Sequence, residues 1–237
     1  MNLTPFAELS PDFVLDAVSA LGFEPDGRLM ALNSFENRVY QVGIEGDAPL
    51  IAKFYRSGRW TDAAIREEHA FAHELVEAEL PVVAPLRIDD ETLFDCDGQR
   101  VALFPRKGGR APELEGTGVT QWLGRLIARM HNVGARRSFA SRGRIDVASR
   151  VDVAAANVLD AQLLPAHLVD RYEQLVDAVA ERLDDLFAAI QPGTLRLHGD
   201  CHPGNLLWTD AGPHFVDLDD AANGPAIQDL WMLLDGG

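Results

Sequence analysis

The apolar positions change their period near the middle of the chain. Up to about residue 105 they come in short alternating or continuous runs: Val39-Tyr40-Gln41-Val42, Leu50 to Tyr55, Thr92-Leu93-Phe94 and Val101 to Phe104. Runs of this length, bounded by Gly, Asp and Pro, predict strands. Glu45-Gly46-Asp47 and Asp97-Gly98 stand where turns are needed, so two hairpins are expected. Further on the spacing opens to i, i+3, i+4, i+7, as in Leu123, Leu126, Ile127 and Met130. That is a helical stripe. A longer one opens at Pro165, continues from Leu168 to Ile190 and stops at Pro192-Gly193, and both stripes are expected to be core.

Two helices interrupt the strand-rich part. Ser10-Pro11 before Phe13, Val14, Ala17, Val18 and Leu21 reads as a capped helix ending at Gly22. From Thr61-Asp62 onward, Phe71, Ala72, Leu75 and Val76 mark another. Arg106 to Arg110 is a break rich in Gly and charge and is the expected lobe boundary, dividing the chain into 1–105 and 106–237. Residues 140–157 have weak periodicity and are expected to be loop with short helical pieces. Thr194 to Leu197 is a short strand, and Leu206 to Val216 a hairpin about Asp210-Ala211-Gly212.

Composition narrows the function. The formal charge is −16, from 21 basic and 37 acidic residues, which disfavours nucleic acid and anionic membrane surfaces. Local cations and a metal would have to offset this field for any phosphate ligand. Arg136, Arg137, Arg142 and Arg144 cluster, and a solvated loop is the expected reading. No apolar run approaches the ~20 residues that span a bilayer, and the N-terminus lacks a signal-peptide pattern. Cys96 and Cys201, in unrelated contexts, fit a reducing cytoplasm rather than a disulfide framework.

Chemistry concentrates near the end. His198-Gly199-Asp200-Cys201-His202-Pro203-Gly204-Asn205 follows one strand, and Asp217 follows the hairpin. An Asp, an Asn five positions on and a second Asp twelve beyond are the side chains that phosphoryl transfer from a nucleotide requires. Asp200 would accept the proton of the attacking hydroxyl, while Asn205 and Asp217 would hold Mg2+ on the phosphates of ATP. Lys53 stands in an apolar strand. It is either an edge-strand lysine reaching solvent or a phosphate contact paired with Glu68 on the next helix, Glu67 being the fallback. The second is favoured because Glu68 shares the inward face with Phe71 and Ala72. His198 is expected to fix the loop by hydrogen bonds, Cys201 to pack beneath it, Asp219 and Asp220 to cap the turn and following segment (a place in the metal shell being the alternative), and Asp229 to brace the loop's backbone. His202 is left undecided.

With its Asp-x4-Asn loop, Val216-Asp217 and Asp229-Leu230, the chain resembles the aminoglycoside phosphotransferase and choline kinase-like branch of the protein kinase-like superfamily. Asn33 to Tyr40, Ala52 to Arg56, Glu67-Glu68-His69 and Phe215 to Leu234 are similar to the bacterial stress-response protein kinases of that branch. The resemblance implies an α+β, two-lobed kinase-like fold: an antiparallel-sheet N-lobe for the nucleotide and a mainly helical catalytic C-lobe. It implies a cytoplasmic, Mg2+- and ATP-dependent serine/threonine protein kinase, autophosphorylating and monomeric. Asp200 and Asp217 would be catalytic, Asn205 and Asp217 the metal ligands, and Ser34, Lys53 and Glu68 the nucleotide site. Asn33 to Asn37 stands where a glycine-rich loop would be expected. Kinases of this kind continue for several helices past Asp229-Leu230-Trp231, so the resemblance implies a truncated C-lobe and an uncovered apolar face at Leu230 to Leu234. Phosphorylation of a small-molecule hydroxyl, and an inactive nucleotide-binding scaffold, are the alternatives.

Overall fold

In a computed structural model, which describes residues 9–234, the Ser10-Pro11 pair opens the first helix as its chemistry requires. The Ser10 hydroxyl accepts the Phe13 amide at 3.1 Å, and α1 runs Pro11–Ala20. Gly22, at φ 91°, turns the chain into the first of five strands. These are β1 (Pro25–Leu32), β2 (Arg38–Ile44), β3 (Asp47–Phe54), β4 (Phe94–Cys96) and β5 (Gln99–Pro105), with α2 (Asp62–Glu77) between β3 and β4. Every pairing is antiparallel, in the order β1-β2-β3-β5-β4. Lys53 therefore lies on the central strand, between Val39 and Ala102, and the edge-strand reading falls away.

One face of the sheet packs Val42, Ala52, Phe54 and Leu103 against Val14 and Val18 of α1. On the other side, α2 brings Ile65 against Tyr55 and Ala102. There His69, 1% exposed, joins the Tyr55 hydroxyl and the Thr92 hydroxyl, each at 2.8 Å. Burial, helped by the nearby Lys53 charge, pushes the His69 imidazole down to about 3. The folded state thus binds fewer protons than the unfolded chain between that value and the usual ~6.5. The stability this contributes is complete above ~6.5 and is lost as pH falls toward 3. Glu68 acts in the opposite sense, since burial raises its carboxyl. Thermal unfolding of wild type and His69→Gln from pH 7 to pH 4 is the check. The variant should lose distinctly less stability on acidification, and parallel curves would refute the expectation.

After β5 the chain becomes helical. α3 (Val119–Gly134) buries Leu123, Ile127 and Met130 in a second core with Phe71, Leu75, Cys201 and Phe215. A π-helical turn at Ala148–Asp152 leads into α4 (Val153–Asp160), the short helical pieces expected for residues 140–157. α5 (Val169–Ile190) follows, ended by Gln191 in the left-handed region rather than by Pro192-Gly193 themselves. Its stripe is not core. No residue of α5 is buried, and Leu175 and Ile190 are among its exposed apolar side chains. Helical period reveals which residues share a face, and what covers that face is a separate matter.

The remainder is short: β6 (Leu195–Leu197), β7 (Leu206–Thr209), β8 (Gly212–Phe215), β9 (Ala222–Gly224) and α6 (Gln228–Trp231). β7 and β8 form the expected hairpin, while β6 pairs with β9. Leu233 is buried and Leu230 packs against the second core, so the apolar segment after Asp229 is covered in part; Trp231 and Leu234 are exposed.

Candidate active site

A cleft of about 340 Å³ lies between the sheet and the β7–β8 hairpin. Its apolar walls include Leu32, Val39, Ile51, Phe104, Leu207 and Leu218, and Ser34, Lys53, Glu68, Asn205 and Asp217 line it as well. Cross-strand register explains the near wall. Ile51 and Lys53 are two apart on β3 and Val39 is the direct partner of Lys53, so all three point to one face.

Lys53 reaches across the cleft to Asp217 Oδ1 at 2.8 Å and Asp219 Oδ1 at 3.3 Å. Burial works against its charge, yet the two carboxylates outweigh that and hold its pKa well above the ordinary lysine value. In return, the ammonium keeps the Asp217 carboxyl below the usual carboxylate range. The expected Lys53–Glu68 pair is not formed. Glu68 is buried, its Oε2 lies 4.0 Å from Arg142 Nη1, and that oxygen has no hydrogen-bond donor. Lys53 goes to the aspartates because they offer two carboxylates to a single ammonium. The fallback Glu67 has another task, accepting the amides of Ala140, Ser141 and Arg142 at 2.6–3.1 Å.

The loop from His198 to Asn205 is held from below. Asp229, with no exposed surface, accepts the His198 and Gly199 amides at 3.0 and 2.8 Å and contacts His131 Nε2 at 3.0 Å. His198 Nε2 meets the Val216 carbonyl at 3.0 Å, tying this loop to the Asp217 segment. Gly199 is required twice over. Its φ is 88°, and a Cβ there would lie 2.0 Å from the Asp220 carbonyl oxygen. Cys201 is buried in the core beneath, where burial pushes its thiol up, away from nucleophilic use. Both cysteines are free. Above them, Asn205 Nδ2 donates to the Asp200 carbonyl at 2.9 Å and to Asp200 Oδ2 at 3.1 Å. Its amide oxygen is thereby turned away from Asp200.

Two expectations about charged residues are corrected here. Asp219 is buried and pairs with Lys53 and with Arg59 at 3.2 Å, while Asp220 takes Arg59 at 2.7 Å. They anchor cations rather than cap a turn. Arg59 also approaches Glu36 at 3.5 Å, and Arg56 meets the same carboxylate at 2.9 Å, so the 33–37 loop is tethered to the segment after Asp217. Ser34 in that loop donates to the Asn37 carbonyl at 2.8 Å. Arg142 is likewise not a solvated loop residue. It is buried, stacks 3.9 Å from the Trp60 ring centroid, and donates to the Ala221 carbonyl at 2.8 Å and to the Asp219 carbonyl. Arg59, Trp60 and Arg142 sit in loops without period or motif, so nothing along the sequence marks them.

The phosphotransferase enzyme family matches residues 29–237. The chain belongs to that family. As a member it is a phosphotransferase, a kinase-type enzyme, and its sheet and helical parts have the kinase-like fold. Stress response kinase A of Salmonella choleraesuis (strain SC-B67) is 45% identical over 239 residues, covering 99% of this chain and 71% of that protein. The serine/threonine protein kinase RdoA of Salmonella typhimurium (strain LT2) is 45% identical with the same coverage. Among solved structures, amicoumacin kinase hAmiN in complex with AMP-PNP, Ca2+ and Ami superposes with a TM-score of 0.73 at 18% identity. That match covers 93% of this chain and 67% of the other, and the likeness is one of fold.

Proposed function

We propose that this phosphotransferase moves the γ-phosphoryl group of ATP onto serine or threonine hydroxyls of proteins, itself among them. The observation that carries the reading is the convergence of Lys53, Asn205 and Asp217 at one cleft from segments as far apart as 164 positions, with Asp200 hydrogen-bonded to Asn205. Residues 1–105 would bind the nucleotide and 106–237 carry the reaction. The apolar walls suit a purine, with the backbone of Phe104 to Arg106 at its edge. Lys53 would exchange its aspartates for the phosphates, and Ser34 would lie over them.

A divalent cation fits the residues present. Asn205 turns an amide oxygen away from Asp200, and Asp217 is a half-exposed carboxylate already facing a cation, Lys53. These are the oxygen donors that Mg2+ takes, with water completing the shell. Bound there, it would supply charge neutralisation on the phosphates. Asp200 orients the acceptor hydroxyl and takes its proton. The hydroxyl oxygen bonds to the γ-phosphorus as the bond to the β-phosphate oxygen breaks, and its electron pair leaves with ADP.

A protein acceptor is supported by the names of the relatives at 45% identity, stress response kinase A and the serine/threonine protein kinase RdoA. A small-molecule hydroxyl is the second reading, favoured by the amicoumacin kinase fold match. The free thiols suit the cytoplasm, and no described helix is long and apolar enough to cross a membrane. Incubation with labelled ATP and Mg2+ is the test. Label on the chain itself or on a generic protein is expected, and label only on an added amino alcohol or sugar would overturn the protein reading. Asp217→Ala should abolish Mg2+-dependent transfer, and full retention would remove Asp217 from the site.

A further inference from the structure

His202 has no task in the reaction as proposed, yet its ring is held in a definite way. Its Nδ1 accepts the Gly204 amide at 3.0 Å. A ring nitrogen that accepts a hydrogen bond carries no proton, so the neutral ring bears its proton on Nε2. The ring is also seated closely. A Cβ at Gly204 would lie 2.5 Å from His202 Cε1, so the absence of a side chain at 204 is what lets the imidazole lie against the backbone.

Held this way, Nε2 stands 3.5 Å from Asp200 Oδ2. The same oxygen already receives the Asn205 amide at 3.1 Å. Among the described residues, both side-chain donors near this carboxylate converge on Oδ2, and Oδ1 receives none. The Asp200 and His202 side chains are 40% and 43% exposed, so the pair opens toward an incoming acceptor. The 3.5 Å separation is long, but hydrogen bonds of catalytic groups commonly shorten when the substrate complex forms.

We propose that His202 is a positioning residue that joins Asn205 in occupying Oδ2 of Asp200, which commits Oδ1 to the proton of the acceptor hydroxyl. The inference rests on the assignment of Asp200 as the base. A carboxylate has a broad, nearly two-fold torsion about its last bond. Held by Asn205 alone, it would present the wrong oxygen or the wrong angle for part of the time. The loss falls on kcat, because the His202 side chain does not itself line the nucleotide cleft and meets its wall only at the Gly204 amide.

The competing role is a local cap, with His202 serving only to accept the Gly204 amide at the short turn Pro203–Asn205. Two substitutions separate these roles. His202→Asn keeps an acceptor near the position of Nδ1 and loses the Nε2 donor. His202→Gln keeps a donor near Nε2 and loses the acceptor at Nδ1. With labelled ATP, Mg2+ and a generic protein acceptor, His202→Asn should lower kcat about 10-fold with KM for ATP nearly unchanged. His202→Gln should recover most of that loss. Wild-type kcat in His202→Asn, or a Gln variant no better than the Asn one, would overturn the proposal. Ring-nitrogen NMR of the intact protein gives a readout independent of turnover. The His202 proton should be on Nε2, and that signal should move in Asp200→Ala; a proton on Nδ1, or indifference to Asp200→Ala, would equally overturn it. If wild type transfers no phosphoryl group to any acceptor, the kinase reading fails, and the ring signals still decide whether His202 is held on Asp200.

Discussion

Replacing Asp200 with Ala should lower kcat about 1000-fold while leaving nucleotide binding nearly unchanged. A positioned general base contributes roughly 100- to 10,000-fold to proton transfer, and here the Asn205 amide is hydrogen-bonded to this carboxylate. The cleft walls and Lys53 come from other segments, so a titration with a fluorescent ATP analogue should give similar affinities for wild type and variant. Asp200→Asn makes the comparison sharper. It keeps the size of the side chain and an oxygen for Asn205 to reach, yet the amide cannot accept the proton. Both variants should be comparably inactive. Substantial turnover by Asp200→Asn would mean that another group takes the proton.

The second large effect is on stability, from Asp229→Ala. This carboxylate has no exposed surface and answers three polar groups: the His198 and Gly199 amides and His131 Nε2. Removing it strands two buried backbone donors in a place that water does not reach. Each buried group left unsatisfied costs about 1–3 kcal/mol, and breaking a buried charged network costs about 3–5 kcal/mol. A loss of roughly 3 kcal/mol is therefore expected, which for a chain of this size lowers Tm by on the order of 8 °C. Activity should fall too, since the same amides hold the strand end that carries Asp200. Calorimetry on wild type, Asp229→Ala and Asp229→Asn is the measurement. The Asn variant should lie between the others because its single oxygen can still accept one amide. A Tm for Asp229→Ala within a degree of wild type would show that the loop is held elsewhere.

Much of this site was legible along the chain because its chemistry is local. Asp200 and Asn205 share one loop, and Gly199 is the residue its backbone needs. The roles expected for His198, Cys201 and Asp229 also need only short-range logic: a loop must be hydrogen-bonded and packed from beneath, and a buried acid near its strand is the available acceptor. Where the reading went astray, the question was which distant charges meet. Lys53 and Glu68 were paired because they occupy successive elements, but Lys53 reaches Asp217 and Asp219 instead. Arg142 belongs to a cluster of arginines that reads as a solvated loop, yet it stacks on Trp60 and supports the Asp219 and Ala221 carbonyls. α5 erred in the other direction, its regular apolar stripe being taken as core while its side chains are exposed.

The sequence by itself determined the strand and helix periods, the turn and cap positions and the reaction class, and it supplied the two aspartates proposed to carry the reaction. Each depends on residues within a turn or a loop of one another, where covalent spacing dictates proximity. Only the tertiary structure decided the charge partners of Lys53, Arg59 and Arg142, the burial of Asp219, and the oxygen of Asp200 toward which Asn205 and His202 converge. The charge partners depend on how segments far apart in the chain approach and on which charges burial strips of water, and even within the Asp200 loop the oxygen that is met depends on side-chain rotation. Spacing along the chain carries no record of either.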